Sequence, residues 1–125
     1  MSAKKIVQSF LDSQVFVDSS QFPEFFHKDL KVYWHSSSGF NVFDYQSYLD
    51  LYKSNTDNYE VMRTDVTHIL ANNKSEVAAR FTLYVRTFEN PNEEMPIGYF
   101  ISIFKVQDDR IIEAHHSSHP SEKES

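Results

Sequence analysis

The chain has 125 residues, 40% hydrophobic and 15% aromatic, enough for one folded domain with a sizeable core and unlike a disordered composition. Twelve Lys and Arg against eighteen Asp and Glu give a net charge of −6, and the basic residues are scattered without a stripe that could track a phosphate backbone, which argues against nucleic acid as a partner. The absence of cysteine excludes disulfides, thiolate metal sites and cysteine nucleophiles together.

Residues 3–16 carry Ile6, Val7, Phe10, Leu11 and Val15 at helical spacing, so a first helix is expected to lay one apolar face on the rest of the fold. Polar Gln8, Ser9 and Asp12 interrupt any signal-peptide core, and the segment reads as mature protein. No window approaches the roughly 18 apolar residues of a membrane span. A cytoplasmic protein with no membrane partner is expected.

Asp18, Ser19 and Ser20 offer cap oxygens for a short second helix over 21–27, with Pro23 in its first turn. A strand over 30–35 follows, rich in the β-formers Val32, Tyr33 and Trp34, and the run Ser36-Ser37-Ser38-Gly39 stops it. Asp44 is the expected cap of a third helix over 45–53, with Tyr45, Leu49 and Tyr52 on one face.

The period then changes from helical to two. Segments 59–71, 76–88, 96–106 and 110–117 read as four consecutive antiparallel strands, turning at Asn72-Asn73-Lys74, over a longer loop at 89–94, and at Gln107-Asp108-Asp109. Gly98 inside the third of these predicts a bulge or sharp bend. A bent meander with helices on its concave side encloses a cavity. One domain is expected over 1–117, with a polar, flexible tail over 118–125.

Alternation along the strands sorts their residues. Val77, Ala79, Phe81, Leu83 and Val85 form an inner row, and Arg80, Thr82, Tyr84 and Arg86 an outer one. His68 shares its row with Met62, Val66 and Leu70, which is expected to face inward, and His116 shares one with Ala114. His115 and His116 point to opposite faces, so the cluster His115-His116-Ser117-Ser118-His119 is not read as a metal site. No metal or cofactor is expected.

The first-strand sequence Asp29-Leu30-Lys31-Val32-Tyr33-Trp34 and the hairpin Phe104-Lys105-Val106-Gln107-Asp108-Asp109-Arg110-Ile111-Ile112-Glu113-Ala114-His115 make the chain resemble the nuclear transport factor two-like superfamily. Within it, the chain is similar to SnoaL-like and ketosteroid isomerase-like proteins. The resemblance covers nearly the whole chain and implies an α+β fold of the cystatin-like barrel type: a cone-shaped, curved antiparallel sheet with N-terminal helices on its concave face. It also implies a pocket for a small apolar or carbonyl-bearing molecule and a homodimer through the outer sheet face.

The isomerase-type members place a donor tyrosine, a carboxylate base and a second donor where this chain has Phe10, Trp34 and Ser102. Base and main donor are both gone, so isomerisation by that route is not expected. In their place the candidate catalytic groups are His68 and His116 as bases toward a proton alpha to a carbonyl, with Ser102 as hydroxyl donor. Trp34, His35, Phe10, Phe100 and Phe104 are the candidate ligand-binding residues. The competing reading is a non-catalytic homodimeric binding or association module in which the histidines are structural.

Overall fold

The computed structural model describes residues 2–120. Its elements are α1 (Ala3–Asp12), a 3-10 turn (Ser19–Gln21), α2 (Phe22–Phe25), β1 (Phe26–Ser36), β2 (Gly39–Asp44), α3 (Tyr45–Asn58), β3 (Val61–Ala71), β4 (Glu76–Arg86), β5 (Met95–Gln107) and β6 (Arg110–Pro120). The strands form one six-stranded sheet in the order β2-β1-β6-β5-β4-β3. Every pairing is antiparallel except that of β1 with β6, which is parallel. The fully antiparallel sheet expected from sequence is corrected at that one seam.

The first helix buries Ile6, Val7, Phe10 and Leu11, as its spacing predicts, but stops at Asp12. Ser13 ends it, its hydroxyl donating to the Phe10 carbonyl at 2.7 Å. The expected second helix is present but shorter, and strand takes its last two residues, Phe26 and His27. Only Phe22–Phe25 is helical, with Pro23 in its first turn, because Phe26 already pairs with Ile111 and buries its ring. The serine run at 36–38 turns rather than stops the chain: β2 folds back on β1, with Gly39 at φ +120°.

Helix α3 is capped as expected and runs five residues longer than expected, to Asn58. Asp44 accepts from the Ser47 amide at 2.9 Å, and the Ser47 hydroxyl accepts from the Asp44 amide at 3.0 Å. The Ser47 amide foremost, and then the Ser47 hydroxyl donating to the same carboxylate at 2.9 Å, hold the Asp44 carboxyl below the usual carboxylate range. Asp44→Ala is expected to lower Tm by roughly 2–5 °C, read in a thermal melt. No loss would show that the cap does not limit helix stability.

The meander is present, bent at its bulges. Leu83 pairs with Gly98 and Tyr84 with Pro96, so Ile97 is the extra residue beside the predicted glycine. A Cβ on Gly98 would sit 3.0 Å from the Phe100 ring, so the bare backbone is what lets that ring lie down. Along β4 the inner row Val77, Ala79, Phe81, Leu83 and Val85 is buried throughout. Helix α1 covers β3 and β4, while α3 covers β1 and β2.

The core between them is aromatic. Phe10 touches Phe16, Phe26 and Phe104, and Phe22 touches Phe26, Tyr45, Tyr48 and Tyr52. Strand β6 continues to Pro120, so 118–120 are paired rather than tail. The rest of the expected tail, 121–125, lies outside the described residues. Among the described residues, no helix is long and apolar enough to cross a membrane.

Candidate functional site

Two of the predicted site residues meet. Ser102 on β5 pairs directly with His116 on β6, and both side chains turn inward. Ser102 is fully buried and its hydroxyl lies 2.6 Å from His116 Nδ1. On the other edge of the ring, His116 Nε2 lies 3.1 Å from the Tyr48 hydroxyl of α3. Sheet and helix are thus joined by a buried chain, Ser102–His116–Tyr48.

Burial fixes the charge states along this chain. It pushes the His116 pKa down to about 4, with a smaller contribution from His115, so the imidazole is neutral at physiological pH. Burial also pushes Tyr48 up to about 12, with a hydrogen bond from Tyr52 offsetting part of that, and holds Tyr52 well above its usual value.

A neutral imidazole has one donor and one acceptor nitrogen. Among the described residues the Ser102 hydroxyl has no other hydrogen-bond partner, so donation to Nδ1 is the assignment that places its buried proton. Nε2 then carries the hydrogen and donates to the Tyr48 oxygen. The Tyr48 proton is left to point elsewhere, and hydrogen bonds accepted by its oxygen strengthen it as a donor.

Tyr48 and His116 form part of the wall of a narrow chamber of about 50 Å³, closed by Phe10, Phe16, Phe81 and Phe100. The chamber adjoins a vestibule of about 330 Å³ lined in part by Ser36, Ser37, Ser38 and Ser118. Trp34 lines both spaces. Its ring packs against Phe100 and His116 at 5.6 and 5.3 Å, and its indole N–H donates to Ser118 at 2.7 Å.

A larger hollow, about 540 Å³, lies on the other face of the sheet beside Arg80, Thr82, Tyr99 and Ile101. It is open and holds none of the buried polar chain. The convergent polar groups are in the smaller cavity, and that is the candidate site.

Several expectations are corrected. His68 is exposed, not inward, with its Nδ1 3.0 Å from the Thr67 hydroxyl. Val66 pairs with Phe81 and His68 with Arg80, so Thr67 is an extra residue and the alternation reverses beyond it. Ile69 takes the inward place, and Leu70 is among the most exposed apolar residues. His35 is also exposed on the outer face and stacks on Phe40 at 4.4 Å. Phe104 is buried behind His116 as core and does not line the chamber. Ser102 likewise stands behind His116, where it orients the ring and is out of a ligand's reach.

Helix α3 supplies what the sequence reading missed. Tyr48, Leu51, Tyr52 and Asn55 recur at helical spacing and all line the chamber. The signal was there, in a row of side chains three and four apart following a capped start. The expected face, Tyr45, Leu49 and Tyr52, is turned from this one by part of a turn. Of the tail cluster, His115 faces outward, stacks on Tyr33 and lies 3.1 Å from Glu113, while His119 packs on Tyr99.

No known family's sequence model matches the chain, and no curated protein sequence does. Solved structures do match. IdmH of Streptomyces antibioticus superposes with a TM-score of 0.71 at 15% identity, covering 94% of this chain and 92% of its own. The BvnE pinacolase of Penicillium brevicompactum gives 0.75 at 7% identity, covering 93% and 84%. A SnoaL-like protein of Jannaschia sp. CCS1 gives 0.66 at 10% identity, also covering 93% and 84%. At such identities the agreement carries the fold and leaves the chemistry to the residues present.

Proposed function

We propose that this chain, which has the SnoaL-like fold of the nuclear transport factor two-like superfamily, binds a small apolar molecule bearing a carbonyl and holds that carbonyl against Tyr48. The observation that carries this reading is the Ser102–His116–Tyr48 chain ending in an aromatic chamber. A hydroxyl whose oxygen already accepts bonds, in a largely apolar chamber, is suited to polarise a carbonyl oxygen.

His116 serves in this reading as a relay rather than a base. Both ring nitrogens are occupied, and a conjugate acid held at about 4 is poorly matched to proton abstraction near neutrality. Any turnover therefore runs through carbonyl polarisation by Tyr48.

Titrating the apolar ketone 2-decalone against the fluorescence of Trp34, the chain's one tryptophan, tests the reading. Saturable quenching is expected, and Tyr48→Phe should weaken it about tenfold by removing the donor. Equal affinity in wild type and variant would remove Tyr48 from the role.

A second reading concerns assembly. The outer face exposes Ile101, Ile103 and Tyr99 on β5 with Phe40 and Val42 on β2. Arg80, paired beside Ile101, and Glu113 on β6 give that face both signs of charge, which suits a surface meeting a copy of itself. We propose that the chain dimerises there. Sedimentation at micromolar concentration should give a dimer for wild type and a monomer for the double variant Ile101→Asp, Ile103→Asp; a wild-type monomer would overturn this.

A further inference from the structure

Six residues line both the chamber and the vestibule and make up the neck where the two adjoin: Trp34, Leu51, Asn55, Met62, Leu83 and Phe100. Four are apolar, and the Trp34 N–H is committed to Ser118. Asn55 is the remaining polar one. Its backbone carbonyl accepts from the Tyr59 amide at 2.9 Å, which anchors it in the last turn of α3. Its side-chain amide has no hydrogen-bond partner among the described residues.

A primary amide brings two N–H donors and an acceptor. A ligand that displaces water from it must answer those groups or lose affinity. The dimensions make that encounter unavoidable. A chamber of about 50 Å³ has room for a few waters, so it admits the tip of a ligand, while the body lies in the neck and the roughly 330 Å³ vestibule. A ligand that fills the chamber beside Tyr48 also meets Asn55, which lines the same space.

We infer that Asn55 is the specificity-determining residue of this cavity and reads a second oxygen on the ligand, placed on its body away from the deep carbonyl. The ligand class is a compact cyclic ketone that also carries a hydroxyl or a second carbonyl. A plain hydrocarbon ketone leaves the amide unanswered. The serines lining the vestibule suit a molecule whose outward end is polar. The inference rests on the ketone-binding reading above.

The test compares 2-decalone with 6-hydroxy-2-decalone on the full chain, using Trp34 quenching and thermal shift together. Wild type is expected to bind the hydroxy ketone about fivefold more tightly. In Asn55→Leu, alike in branching but without hydrogen-bonding atoms, the ratio should fall to about one. Asn55→Asp keeps an acceptor and loses the donors, so it should retain the preference for the hydroxyl and lose any for decalin-2,6-dione.

A preference unchanged in Asn55→Leu, or a dione preference surviving in Asn55→Asp, overturns the role of Asn55 while leaving the ketone cavity standing. If wild type shows neither quenching nor a raised Tm with either ketone, the cavity reading falls and the inference with it.

Discussion

Lowering the pH from about 6.5 to about 4 is expected to remove about 3 kcal/mol of folding stability through His116 alone. Burial depresses the pKa of this histidine in the folded chain, whereas the unfolded chain takes up the proton near the ordinary value of 6.5. Between those two values the unfolded state binds more protons, so stability falls with falling pH at about 1.4 kcal/mol per unit. Above 6.5 both states are neutral and the effect is absent; below 4 both are protonated and it levels off.

Urea titrations at pH 7, 6, 5 and 4.5 read the slope, and His116→Gln should remove this part of it. The remaining histidines are common to both proteins and cancel in the comparison. The carboxyls of Asp18, Asp44 and Glu94, held low by hydrogen bonds, add a loss at the acid end of the window and below it, common to both proteins. Parallel slopes in the two proteins would show that His116 titrates in the folded chain as it does in water.

Phe22→Ala is expected to destabilise the protein by about 3–5 kcal/mol. Its ring is fully buried, with ring centroids 4.4 Å from Phe26, 5.0 Å from Tyr45 and 5.3 Å from Tyr52, so it joins α2, β1 and α3 at one point. Truncation leaves a cavity that three elements cannot all collapse to fill. The urea midpoint should drop with little change in slope, while Phe88→Ala at an exposed loop position should stay within about 0.5 kcal/mol. A loss under about 1 kcal/mol for Phe22→Ala would mean that α3 is held by other contacts. The effect bears on the site because α3 delivers Tyr48 to His116.

Much of this arrangement was legible in the residues. The alternation from Val77 to Val85 is uninterrupted, and it paired β4 with its faces correctly. Gly98 announced its bulge because glycine has few other reasons to sit inside a strand. Ser102 is placed by the resemblance to isomerase-type members, and His116 by its alternation with Ala114.

What failed had physical causes. Thr67 makes a bulge without a glycine or proline to mark it, so counting by twos carried His68 to the wrong face. Strand β2 is an edge strand, exposed along almost its whole length, so burial imposed no alternation to read. On α3, cap and period located the helix, but three tyrosines and two leucines fit several faces. Only the sheet beneath it chose Tyr48 and Asn55.

The parallel seam between β1 and β6 sets an order of events in time. Trp34 pairs with His116, about 80 residues further along the chain, and β6 lies between β1 and β5 in the sheet. Closing so long a loop carries a large entropic cost before any contact repays it. During synthesis the β1–β2 hairpin and the β3–β4–β5 meander can form early, but they have no shared edge until β6 arrives between them. The strand that completes the sheet also brings His116, so the binding cavity and the finished fold come into being in one step, and a nascent chain shorter than that carries two exposed sheet edges for chaperones to guard.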